Sequence, residues 1–289
     1  MNPFQREFRE AAFFNRSGCE GKRDMNTNTL LKNGFPFRLG CTSYVYPDDL
    51  LPNVRKMAPI VDDFEIVLFE TESLSNLPGP DAIAALREIS EQHGNTYTIH
   101  FPIDKKAGAS DKKERHYFQD QALKIMQLAR PLHPFAYVLH LEGISESASP
   151  DELAAWQANS METCEKIATS GGVDSNIIAV ENLGYPVEWN APIIEHFGFS
   201  FCMDIGHLWL YRKNWKNNLE RYLGKTRVMH LHGVSKGKDH LSLLKNDQEA
   251  LRMLVREYLP SFQNVLTLEV FSKEDTFDSI RRVKTLWQE

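Results

Sequence analysis

From Phe37 onward the chain alternates short apolar, β-branched runs with segments of helical periodicity, and few folds accommodate that pattern. The runs are Arg38–Ser43, Phe64–Glu70, Thr96–His100, Ala136–Leu141, Asn176–Asn182, Phe199–Asp204, Thr226–His232 and Asn264–Val270, eight in all. Helical segments lie between them. Pro80–Gly94 has proline at its start and glycine just past its end. Asp111–Arg130 and Ser149–Ala168 place apolar residues three and four apart, and Ser149 with Glu152 forms a capping-box pattern. Eight strands alternating with helices predict an α/β fold in one domain, a (β/α)8 barrel. A doubly wound open sheet is the alternative. It calls for a glycine-rich phosphate turn after an early strand, and no GxGxxG or GxxxxGK[ST] stretch occurs.

Composition narrows the function. The net charge of −6 gives no basic footprint for nucleic acid. No stretch reaches the roughly 18 apolar residues of a membrane span. Cys19, Cys41, Cys164 and Cys202 form no CxxC pair, so they read as free thiols in a reducing cytoplasm. Residues 1–34 lack the apolar core of a signal peptide and read as a poorly ordered polar extension, with a short amphipathic helix possible over Pro3–Phe14. The barrel is expected over residues 35–289.

The chemistry sits at the strand ends. The third run ends at His100, the fourth carries His140, the fifth reaches Glu181, and the sixth ends at Asp204 with His207 one turn later. The seventh carries His230 and His232, and the eighth Glu269. In a barrel these ends converge on one face, where active sites are built. Each residue alone has a plain explanation as a rim ion pair, a helix cap or a core histidine. Six consecutive strands ending this way point instead to a shared cation, because clustered buried charges are costly unless paired or bound to metal. Imidazoles and carboxylates together suit Zn²⁺, Mn²⁺ or Fe²⁺. His93, His116, His133 and His196 fall in helices or loops and carry no such expectation.

The series IHFP, LHLEG, VENLG, MDIGH, MHLHG and LEV resembles the xylose-isomerase-like barrel superfamily, which includes endonuclease IV and many sugar-phosphate isomerases and epimerases. The resemblance spans residues 37 to 287 and implies a single TIM barrel of that type. Against the three-metal endonuclease IV branch, His100, His140, Glu181, Asp204, His207, His230, His240 and Glu269 match as metal ligands. That branch has Asp-x-His after strand seven; here Lys238 stands at the aspartate position, with Asp239 beside it. The isomerase branch uses a single metal, and Glu181, Asp204, His207, His230 and Glu269 also match its pattern.

A narrower resemblance lies in Phe35–Glu70, which is similar to the opening of the cobamide-remodelling phosphodiesterases of the same superfamily. It implies hydrolysis of a phosphodiester in the nucleotide loop of a corrinoid by one to three divalent ions, zinc or manganese. Glu269 or Glu181 would bridge the ions and hold the attacking water. Lys236 or Lys238 would neutralise developing charge. Tyr44, Tyr46, Glu70, Asn182, His232 and Trp209 would contact substrate, with Tyr211 and Trp215 beside them and Asn182 also orienting a ligand. Three alternatives stay open: a single-metal sugar or sugar-phosphate isomerase or epimerase, a phosphodiesterase acting on DNA, and a non-catalytic metabolite-binding barrel.

Overall fold

A computed structural model describes residues 32–70 and 75–289. The N-terminal extension up to residue 31 and the end of the FETE stretch lie outside the described residues.

The strands are β1 (Arg38–Thr42), β2 (Asp63–Val67), β3 (Thr96–His100), β4 (Ala136–His140), β5 (Ile178–Glu181), β6 (Ser200–Asp204), β7 (Thr226–Leu231), β8 (Gly233–Ser235), β9 (Lys238–Leu241) and β10 (Val265–Leu268). Eight of them close a parallel barrel in the order β1-β10-β7-β6-β5-β4-β3-β2. The eight expected runs are its eight strands. Helices cross between them and cover the outside, each set by its ends. Pro80–His93 opens on proline and stops at Gly94, whose φ of 69° few other residues adopt readily. Pro150–Ser170 opens on the capping box of Ser149 and Glu152. Among the described residues no helix is long and apolar enough to cross a membrane.

Strand alternation sorts the side chains into two groups. Outward residues such as Leu39, Phe64, Ile66, Tyr97, Ile99, Tyr137, Leu139, Val180, Phe201, Met229 and Leu266 are buried in one large apolar cluster with the helices. Ala136, Val138, Ala179, Cys202 and Val228 form a second, small cluster. They belong to β4, β5, β6 and β7, on the alternate face of those strands. On the same face of β2, β3 and β10 the residues are polar: Asp63, Glu65, Thr98 and Thr267, all fully buried. The barrel bore is thus apolar along one half of its wall and polar along the other.

Two local features differ from the sequence reading. The second run stops being a strand at Val67 rather than at Glu70. Asn76 turns the chain there, its amide donating to the Val67 carbonyl at 2.9 Å and its Oδ1 accepting from the Phe69 N–H at 2.8 Å. After β7 an unexpected antiparallel hairpin, β8–β9, leaves the barrel. Its two-residue turn, Lys236–Gly237, has φ of 53° and 76°, the left-handed pair that tight hairpins require. Strands of three and four residues carry too little apolar pattern to announce themselves.

Candidate metal centre

The barrel closes the strand ends onto one point. His100, His140, Glu181 and Asp204 are the last residues of β3, β4, β5 and β6. His230 pairs in register with Asp204 and with Thr267, and Glu269 follows β10 directly. His207 lies in the short helix Ile205–Leu210, which Asp204 caps by accepting the His207 N–H at 2.7 Å. His240 comes in from β9 with φ of 51°, in the left-handed region.

Glu181 is the hub. Its Oε2 lies 3.0 Å from His140 Nε2, 3.3 Å from His230 Nδ1 and 3.7 Å from His100 Nε2. Its Oε1 lies 3.2 Å from His207 Nδ1. Glu269 Oε2 lies 3.2 Å from His230 Nδ1 and 3.5 Å from His240 Nε2. Asp204 Oδ2 lies 3.1 Å from His207 Nδ1. Donors held about 2.0–2.1 Å from one tetrahedral ion stand about 3.3–3.4 Å from each other, and these contacts bracket that value. His100 Nε2, His140 Nε2, His230 Nδ1 and Glu269 Oε2 are buried without a hydrogen bond. Donors that converge without bonding one another fit a cation. Among the described residues one four-residue grouping occurs, Glu181, Asp204, His230 and Glu269, with His100, His140 and Glu181 together on one flank and His207 with His240 on the other.

The charges are strongly coupled. Burial alone would lower the His140 pKa, but the Glu181 and Glu142 carboxylates push it up to about 10. Against the same effect of burial, Asp204 and Glu181 raise His207 to about 9, and Glu269 and Asp239 raise His240 to about 10. Burial would raise the Glu181 pKa, yet His140 and His230 hold it well below the usual carboxylate range. An ion taken up at these imidazoles therefore displaces protons, and its affinity rises with pH.

A family model for the xylose isomerase-like TIM barrel matches residues 61–286. The chain belongs to the xylose isomerase-like TIM barrel family. Comparison with curated proteins found no match. Among solved structures of the same fold, a D-tagatose 3-epimerase-like protein is 20% identical with a TM-score of 0.70, covering 87% of this chain and 97% of its own. Endonuclease IV from Thermus thermophilus is 17% identical with a TM-score of 0.66, covering 87% and 99%. A second Thermus thermophilus protein, from a crystal soaked with zinc chloride, is 19% identical with a TM-score of 0.59, covering 87% and 98%.

In this family member all eight residues expected as metal ligands face one another. The other expected site residues have contacts of their own. Asn182 is buried behind Asp204: its Oδ1 accepts the Asp204 N–H at 2.7 Å and its Nδ2 donates to the Asp204 carbonyl at 2.9 Å. It supports Asp204 through both bonds. His232 is fully buried. Its Nδ1 accepts the His240 N–H at 3.1 Å, so the ring proton sits on Nε2, 3.2 Å from Asp204 Oδ1. His232 therefore steadies Asp204 and has no lone pair for a metal. Glu70 turns to the helical layer and pairs with Lys124 at 2.9 Å. Lys236 sits in the exposed hairpin turn, and Lys238 is exposed one residue past that turn. Tyr44 accepts from Asn76 at 2.6 Å, and burial pushes its pKa up to about 12. Tyr46 lies under the Lys56 and Lys273 ammonium groups at 4.8 and 5.6 Å. Trp209 packs edge-on against Trp215. Tyr211, almost half exposed, stacks over Gly184.

The structure adds Glu65, Glu142 and Cys202 to the site. Glu65 Oε2 lies 2.7 Å from His230 Nε2, and neither side chain reaches solvent. Glu142 faces His140 Nδ1 at 3.7 Å, and the Cys202 thiol faces Glu181 at 3.9 Å. A signal for Glu65 was present. Asp63 and Glu65 stand two apart in an apolar run, which puts two acids on one strand face.

Gly206 sets the position of His232. A Cβ there would overlap the imidazole ring. Gly206→Ala is expected to displace His232, cost about 1–3 kcal/mol and weaken metal binding roughly 10- to 100-fold through the loosened Asp204. Thermal melts and metal titration check both parts. An unchanged metal affinity would contradict the role given to His232.

Proposed function

We propose that the chain is a metal-dependent phosphodiesterase that hydrolyses a phosphodiester in the nucleotide loop of cobamides, acting in the cytoplasm in corrinoid remodelling. The observation that carries the reading is the sharing of Glu181 among four imidazoles, three of them, His100, His140 and His207, beyond the central four-residue grouping. Isomerisation on one ion needs only the central grouping. Additional nitrogen donors around shared carboxylates suit several ions, an arrangement common in phosphoester hydrolysis. The similarity of Phe35–Glu70 to cobamide-remodelling phosphodiesterases supplies the substrate class, and the acidic net charge argues against a DNA backbone.

In this reading His100, His140, Glu181, Asp204, His207, His230, His240 and Glu269 hold one to three divalent ions, zinc or manganese. Such ions supply Lewis acidity toward the phosphoryl oxygens and a bound water of lowered pKa. The chain's own groups do the rest. Glu181 and Glu269 accept protons or share cations at the centre of the cluster, Asn182 and His232 fix the Asp204 carboxylate, and the cluster's burial excludes bulk water. Tyr44, Tyr46, Trp209 and Tyr211 supply aromatic surface for a large planar ligand. The second reading, a single-metal sugar epimerase, draws on the same central grouping and on the epimerase-like neighbour.

The metal-replete chain is to be incubated with adenosylcobalamin and related cobamides, with a panel of ketoses and their phosphates, and with abasic DNA, followed by mass spectrometry. The proposal predicts cobamide cleavage into two fragments whose summed mass exceeds the substrate by one water. Intact cobamides together with an interconverted ketose pair would decide for the epimerase.

A further inference from the structure

We propose that Glu65 is a positioning residue that selects the ring tautomer of His230 and thereby makes His230 Nδ1 a metal donor. The inference rests on the metal-centre reading above.

Glu65 stands mid-strand in β2, in register with Thr42 and Thr98, below the rim that carries the ligands. Its Oε2 meets His230 Nε2 at 2.7 Å, the shortest contact any histidine of the cluster makes with a carboxylate. A carboxylate only accepts, so this contact requires the proton on Nε2. A neutral ring then carries its lone pair on Nδ1. That atom faces Glu181 Oε2 at 3.3 Å and Glu269 Oε2 at 3.2 Å and is buried without a hydrogen bond. His100 achieves the opposite selection by other means. Its Nδ1 lies 2.8 Å from the Phe101 carbonyl, which leaves Nε2 toward Glu181. The backbone cannot be altered by substitution at that site, whereas Glu65 can. A carboxylate behind a ligating imidazole also raises the basicity of the donor nitrogen.

The experiment uses the full chain labelled with ¹⁵N-histidine and loaded with ¹¹³Cd²⁺. Long-range ¹H–¹⁵N spectra are expected to show His230 protonated at Nε2 with cadmium coupling at Nδ1. In Glu65→Leu, whose side chain cannot accept the Nε2 proton, His230 is expected to lose its cadmium coupling at Nδ1 and cadmium affinity to fall roughly 10- to 100-fold, with the other cadmium-coupled histidines retained. A wild-type His230 that couples through Nε2 overturns the proposal, and this reading needs no variant to fold. Glu65→Leu with wild-type affinity overturns it too, as does loss of an ion with the His230 tautomer unchanged, which would make Glu65 itself a ligand. A wild-type chain that takes up no cadmium overturns the metal-centre reading as a whole.

Discussion

Replacing Glu181 with alanine is expected to strip the chain of most of its metal and to lower turnover by about three orders of magnitude, a loss of about 4 kcal/mol in transition-state stabilisation. No other carboxylate in the cluster touches as many imidazoles: His100, His140 and His230 meet one oxygen and His207 the other. Alanine removes the only carboxylate common to the central grouping and the His100–His140 flank. It also removes the main partner that raises His140 and the one that, with Asp204, raises His207. Elemental analysis of the purified variant and steady-state rates in added metal measure the two effects. Wild-type metal content would refute the placement of Glu181 at the hub.

The second large effect concerns Asp63 and stability. Burial pushes its pKa up to about 7, with Glu65 adding repulsion, while the hydrogen bond from Thr96 works the other way. The Thr96 hydroxyl donates to Oδ2 at 2.6 Å, and Oδ1 has no hydrogen bond. The folded chain thus holds this proton more tightly than the unfolded chain. Stability contributed by the protonated form is full at pH below the ordinary value near 4 and is lost as pH rises to about 7. About three pH units correspond to roughly 4 kcal/mol. Asp63→Asn keeps the acceptor for Thr96 and cannot ionise. The variant is expected to match the wild type in denaturant unfolding near pH 4 and to exceed it by up to that amount at about pH 8. A difference independent of pH would show that Asp63 does not titrate in this range.

The barrel and the convergence of the strand-end side chains could be read from the sequence because both follow from a period. Strands that recur between amphipathic helices define the fold, and residues ending successive strands converge whatever their detailed contacts. The supporting residues could not be read in this way. Asn182 and His232 neighbour ligands in the sequence, and only the hydrogen bonds to Asp204 and His240 distinguish support from substrate contact. Lys236 was expected to neutralise developing charge, and the hairpin turn carries it to the surface. Glu65 was hidden because attention to strand ends passes over acids in mid-strand. Glu70 ended the apolar run in the sequence, yet the strand had already stopped at Val67.

The divided wall of the bore gives the centre two electrical environments. Val138, Ala179, Cys202 and Val228 stand two residues before His140, Glu181, Asp204 and His230, so each of these four ligands has an apolar side chain one step below it on its own strand. Below His100 and Glu269 the corresponding residues are Thr98 and Thr267, with hydroxyls that polarise toward nearby charge. Local dielectric constant is therefore lower beneath β4 to β7 than beneath β3 and β10, and an interaction between charges grows as that constant falls. The same added or removed charge is felt more strongly by Glu181, Asp204 and His230 than by His100 or Glu269. The small apolar residues of that half of the bore thereby strengthen each charge interaction among Glu181, Asp204 and His230.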